Sequence, residues 1–355
     1  MANRTNPTRR QVLGALGAAG VLGASAPAPA AERDEAIGAE LVHRADRLEY
    51  ARLKALNLDD AEVVARQEQM PVGRIGNLRV SRLIAGSNLI GINMHARDLK
   101  YVNPLARNYN TEGRILMTMK LAEEHGANAI ILKHNNFRQI RLSRYWDEWG
   151  GRMKWLADVI TTDIDKYEEL LAEHLELGAA GAYLWGGASD IWYHQGKPDH
   201  IIRAFEIMKS YDIPVGICAH RLEPIAFCEK EGLVPDFYML TLHHDRYWSA
   251  HPSENRRFME MYEPDSPNHD EYHDNLFCHD PERTIAFMQD VKVPWIAFKV
   301  MAAGAIAPED GIRYAFDNGA DFVCLGFFDW QLREGVELVR KAVADARSRK
   351  RPWIA

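Results

Sequence analysis

The chain reads as a (β/α)8 barrel, and three observations predict it. Eight apolar strand segments alternate with amphipathic helices along 355 residues. Glycines recur at helix ends just ahead of strands. The stretch 293–329 spells out one complete unit of the repeat. In it a buried strand (Trp295 to Val300) runs into a small-residue turn, Ala302-Ala303-Gly304-Ala305. Pro308 then opens a helix carrying Glu309 and Asp310 in its first turn, where a fixed φ and negative charge both suit a helix start. A second apolar strand, Phe322 to Leu325, ends at Gly326. Two apolar strands joined by one helix must lie parallel in a sheet.

Residues 1–31 carry the marks of an export leader. Arg4, Arg9 and Arg10 precede an apolar run (12–24) that is too short and too rich in Gly and Ala to span a bilayer. Ala28-Pro29-Ala30 offers a small-residue cleavage site. Thr8-Arg9-Arg10-Gln11-Val12-Leu13 resembles the twin-arginine signal, which serves proteins that fold before crossing a membrane. The expected location is therefore periplasmic or extracellular. No later segment approaches the roughly 18 uninterrupted apolar residues of a membrane span.

Residues 32–69 are charged and helix-rich, an N-terminal helical extension, and 70–355 form the barrel domain. Its strands are expected at 80–87, 129–133, 154–160, 181–185, 215–219, 237–242, 295–300 and 322–325. Helices are expected at 113–125, 165–177, 199–211, 223–231, 281–291 and 309–318. Gly126, Gly178, Gly232 and Gly319 close helices where the backbone turns left-handed. An open doubly wound sheet would instead need a GxGxxG turn after its first strand, and Gly86-Ser87-Asn88-Leu89-Ile90-Gly91 is not one.

An apolar share of 47% suffices for a core, and a net charge of −7 argues against a nucleic-acid partner. A small-molecule substrate is the partner expected; oligomeric state stays open. Cys218, Cys228, Cys278 and Cys324 form no CxxC pair, and Cys218 and Cys324 sit in apolar strands as small buried hydrophobes. Two long connections, 88–112 after the first strand and 243–280 after the sixth, fall on the face where such barrels carry their chemistry.

Catalytic groups in a parallel barrel come from the carboxyl ends of several strands. Those ends hold Asn88, the run Lys133-His134-Asn135-Asn136, Trp185, His220, His243 with His244, Lys299 and Asp329. Lys299 is the first candidate. Strand alternation puts Ala297 and Lys299 on the inward face, with Ile296, Phe298 and Val300 outward under the helices. An inward lysine loses hydration, which frees its amine for proton transfer or a Schiff base. The alternative is an ion pair with an inward acid such as Asp158. His220 can serve as general acid/base or metal ligand. Lys133 and His134 are further acid/base candidates; Asn88, Asn135, Trp185, Gly304 and Gly326 would contact substrate.

Six of the 14 histidines fall in 243–279: His243, His244, His251, His269, His273 and His279. A divalent metal held by His220 with His243 or His244, and with Asp329 as an oxygen ligand, is one reading of that cluster. A solvated polar lid is the other.

Two resemblances follow from particular residues. The opening 70–88, MPVGRIGNLRVSRLIAGSN, resembles aldo/keto reductases, which implies an NADP-dependent oxidoreductase; their Asp and Tyr after the second strand have no counterpart in Lys133-His134-Asn135-Asn136. Residues 299–306 and 319–326 resemble aldolase-type barrels, whose members imply phosphate binding at the last two loops and a Schiff-base lysine at the position of Lys299. The expected activity is acid/base or Schiff-base chemistry, of lyase, aldolase or isomerase type, on a small polyhydroxylated or carbonyl-bearing substrate. The alternatives are the oxidoreductase, a metal-dependent hydrolase or isomerase, and an exported binding protein without turnover.

Overall fold

A computed structural model describes residues 30–57, 60–96, 99–132, 142–250 and 275–355. The chain divides into two units, 1–45 and 46–355. Of the first, the described residues are the opening of the helix Ala30–Asn57. The second holds the end of that helix, the helix Asp60–Gln69 and everything after it.

A hairpin comes first: β1 (Val72–Ile75) pairs antiparallel with β2 (Leu78–Ser81). Among the described residues, eight parallel strands then close into a barrel. They are β3 (Leu83–Ala85), β4 (Ala129–Leu132), β5 (Lys154–Val159), β6 (Gly181–Leu184), β7 (Val215–Ala219), β8 (Phe237–Thr241), β9 (Trp295–Phe298) and β10 (Phe322–Leu325). Each pairs with the next in sequence, and β10 returns to β3 through Val323↔Leu83, Cys324↔Ile84 and Leu325↔Ala85. The fold is a (β/α)8 barrel.

The expected first strand, 80–87, is two strands broken at Arg82. Its buried guanidinium donates to the Asp321 carbonyl at 3.0 Å and to the Ala355 carbonyl, and lies 4.3 Å over the Trp353 ring. That anchor turns the chain from the hairpin into the barrel. Ile75 and Val80 of the hairpin pack with inward residues Ile84, Leu156 and Phe322, so the hairpin plugs the amino end and leaves the carboxyl end for a ligand.

The helix-closing glycines behave as their positions predict: Gly126, Gly178, Gly232 and Gly319 all have positive φ. Each lets the chain reverse from helix to the next strand, within two residues after Gly126, Gly178 and Gly319 and within four after Gly232. Outside the ring, Trp155, Ala157, Val159, Trp295 and Ala297 join the larger core under the helices.

On β9 the faces are the reverse of those expected. Ile296 and Phe298 point into the barrel and Ala297 packs outside it, while Val300, beyond the end of the strand, lies in the outer core as expected. Bulk fills the interior here and the small residue faces the helices. Lys299 is not part of the alternation at all, because strand pairing ends at Phe298 and Lys299 takes the left-handed region at φ 57°. The backbone turn, not strand parity, carries its side chain to the mouth of the barrel.

Candidate active site

The carboxyl end of the barrel opens into a cavity of about 730 Å³. Its floor comes from the inward positions of consecutive strands. Asp158 of β5 stands opposite Tyr183 of β6, and Cys218 of β7 opposite Met239 of β8. Phe298 and Cys324 complete that floor from β9 and β10. The floor is thus largely apolar, with one carboxylate and one phenol set into it. Burial pushes the Tyr183 phenol well above its ordinary value, reinforced by the nearby Asp158, so Tyr183 stays protonated. Burial likewise raises the Cys218 thiol, which makes it a poor nucleophile.

His220 forms one wall. It follows β7 directly, and its ring Nδ1 lies 2.7 Å from Oδ2 of Asp190. Asp190 sits on the helix Gly186–His194 that follows β6, and is itself buried. The same carboxylate accepts the backbone N–H of His220 at 3.1 Å and that of Arg221 at 3.3 Å. Thr241 of β8 donates its hydroxyl to the His220 carbonyl at 2.6 Å. Backbone and ring are therefore fixed from the helix after β6 on one side and from β8 on the other. Gly186 makes the approach possible: a Cβ there would stand 2.9 Å from the Cys218 Sγ and 3.2 Å from Cε1 of His220.

Burial pushes the Asp190 carboxyl up to about 7, and the backbone N–H groups of His220 and Arg221 hold it from rising further. A buried carboxylate on Nδ1 fixes which ring nitrogen carries the proton and leaves Nε2 as the basic one. Such a pair exchanges protons as a unit. Sequence reading missed Asp190. The available signal was an acid in the first turns of a helix that begins with two glycines at a strand end, but pairing it with His220 needs β6 and β7 side by side.

Lys299 lines the cavity mouth, where its ammonium donates to the Leu276 carbonyl and sits 5.2 Å from the centre of the Phe277 ring. Asn88, Trp185, Gly304 and Gly326 line the same cavity, as does Asp158. The site thus gathers seven of the expected residues with His220. Lys133, His134 and Asn135 lie outside the described residues, just past the end of β4 at Leu132. His251, His269 and His273 also fall outside them.

The four groups considered as metal ligands are not brought together. His243 is buried with both ring nitrogens engaged: Nε2 accepts the Cys278 N–H at 2.9 Å, and Nδ1 meets the His244 carbonyl at 3.1 Å. His244 turns into a separate polar pocket, where its Nδ1 accepts the Arg246 N–H at 3.1 Å and its ring meets Tyr314 edge-on. Asp329 accepts from the Tyr109 hydroxyl at 2.5 Å and from Arg114 at 3.1 Å. Among the described residues, no group of three or more His, Cys, Asp or Glu is placed to hold a metal.

No family model and no curated protein matches the chain. Solved structures do, among them two described provisionally as an aldo-keto reductase from Pseudomonas aeruginosa. The first is 14% identical, spans 77% of this chain and 96% of that one, and has a TM-score of 0.51. For the second the values are 14%, 77%, 94% and 0.50. A dihydrodipicolinate synthase from Aquifex aeolicus matches more loosely, at 14% identity over 68% of this chain and 72% of that one, with a TM-score of 0.39. The likeness is one of fold.

Proposed function

We propose that the chain is an acid/base enzyme acting on a small carbonyl-bearing, polyhydroxylated substrate, of isomerase or lyase type. The observation that carries this reading is the 2.7 Å bond between the Asp190 carboxylate and His220 at the wall of a cavity large enough for such a molecule. In this reading Nε2 of His220 removes a proton from the carbon beside the carbonyl. The electron pair moves onto the carbonyl oxygen, and Asp190 stabilises the imidazolium that results. Tyr183, held as a phenol, donates a hydrogen bond to the developing oxyanion, and the proton then returns to carbon or oxygen. Lys299 supplies positive charge at the mouth. Its contact with the Leu276 carbonyl supports a charged, anchoring role more than a Schiff base. Export of the folded enzyme through the twin-arginine route belongs to the same proposal.

The test is solvent exchange. Incubated in deuterated water with a panel of aldoses, ketoses and keto-acid sugars, the protein should place deuterium beside the carbonyl of at least one compound, and His220→Asn should stop it. Exchange that is equally fast in His220→Asn, or turnover that appears only with added NADPH, would overturn the reading; the second outcome would point to hydride transfer.

A further inference from the structure

The loop after β10 displays an aromatic platform at the rim of the cavity. Trp330 is 62% exposed, yet it lines the same cavity as His220. Its ring stacks on Phe328, with planes 7° apart and centres 6.0 Å apart. Tyr109, from the helix Val102–Tyr109 on the other side of the rim, meets Phe328 edge-on at 5.2 Å. A tryptophan left this exposed keeps much of its apolar face in water, and nothing in the core calls for it.

The platform is also held still. Asp329, the residue before Trp330, is buried and bound to Arg114 at 3.1 Å and to the Tyr109 hydroxyl. Burial and that carboxylate push the Tyr109 phenol up to about 12, so it remains a donor. Gln331 accepts the Phe328 N–H at 3.1 Å, closing the turn on its other side. A partly buried ion pair thus fixes a turn whose tip is an exposed indole. Rigid aromatic rings presented to solvent beside a polar-edged cavity suit a ligand with one flat apolar face and hydroxyls at its edge.

We propose that Phe328 and Trp330 form an outer subsite for a pyranose ring. The ligand would be a glycoside or disaccharide whose other end enters the cavity toward His220. Gln331 and Asn93, which line the cavity near the rim, are the polar side chains that would meet the ring's hydroxyl edge. The inference rests on the cavity being the reaction site and names the class of molecule it takes.

The experiment uses cellobiose, maltose and lactose, singly, with wild type and with Trp330→Ala and Trp330→Phe. Saturation-transfer NMR reads which sugar protons touch the protein, and calorimetry reads affinity. At least one disaccharide should bind with strongest saturation on the axial C–H protons of one ring. Trp330→Ala should weaken it roughly 10-fold or more, while Trp330→Phe retains most of the affinity. Because residue 330 is exposed, melting should not change, which separates lost binding from lost fold. No binding by any of the three sugars, or equal binding in Trp330→Ala, would overturn the subsite. Deuterium exchange on simple carbonyl compounds is read separately, so that result would leave the His220 reading standing. Sugar binding without exchange would do the converse.

Discussion

Asp190 and His220 are thirty positions apart in the chain, yet the Asp190 carboxylate accepts both the backbone N–H of His220 and, at 2.7 Å, its ring Nδ1. One buried side chain therefore fixes both the position and the tautomer of the residue at the cavity wall. Removing it should disturb chemistry more than binding. Asp190→Asn is expected to lower kcat by about 10²–10⁴-fold with little change in KM, because the amide can stabilise the wrong tautomer. In the wild type a limb of the kcat/KM profile should fall near neutral pH, following the raised Asp190 carboxyl, and it should vanish in the variant. An unchanged profile would separate Asp190 from the reaction.

Lys299→Met tests the second cationic candidate. The substitution keeps the length of the stem but removes the donor to the Leu276 carbonyl. Turnover is expected to fall by about 10²-fold, with a stability loss of only about 1–3 kcal/mol for the carbonyl left behind. Parallel rate and melting measurements on one sample check it. A variant that melts far below wild type but keeps full activity when cold would confine Lys299 to structure.

The C-terminal tail should be a major source of stability. Arg351, fully buried, donates to Asp321 at 2.7 Å and to the Gly319 and Val293 carbonyls, while Asp321 also accepts the N–H groups of Trp295 and Ile354. Asp321→Ala strands a guanidinium inside the protein and should cost about 3–5 kcal/mol in denaturant titration. A loss below about 1 kcal/mol, the range of an exposed pair, would contradict the assignment.

His125 should give the fold an acid limit. It is buried at the end of the helix Glu112–Glu124, and desolvation, followed by the positive charges of Arg66 and Arg333, lowers its pKa from 6.5 to about 4. The folded-state value lies below the unfolded one, so the unfolded chain binds the extra proton first. The contribution to stability is full above pH 6.5 and is lost as pH falls toward 4, by at most about 3 kcal/mol. His125→Gln should flatten that part of the stability–pH curve; an unaltered slope would show that other groups set it.

Export is checked with the precursor. Arg9→Lys combined with Arg10→Lys is expected to leave it in the cytoplasm, because the paired arginines are what the receptor reads. Unchanged periplasmic yield in fractionated cells would indicate the general secretion route.

What the sequence determined by itself is the repeat. Apolar periodicity and the glycines at 126, 178, 232 and 319 act locally: a left-handed residue after a helix reverses the chain whatever lies around it. Eight such units have few ways to bury their strands, so the barrel was legible, and with it the end at which Asn88, Asp158, Trp185, His220 and Lys299 meet. Tertiary structure decided which of these groups act on one another. The two faces of β9 look alike in a one-dimensional pattern, since both the barrel interior and the helix layer are apolar, and Ile296 and Phe298 went inward against expectation. Histidines adjacent in sequence at 243 and 244 part company because one bonds to Cys278 while the other leaves for a different pocket. Asp190 reaches His220, and Asp329 reaches Arg114, across neighbouring elements of a closed ring. Side-chain hydrogen bonds span only about 3 Å, so a pairing at that range is set by how strands and helices pack and by no local sequence rule.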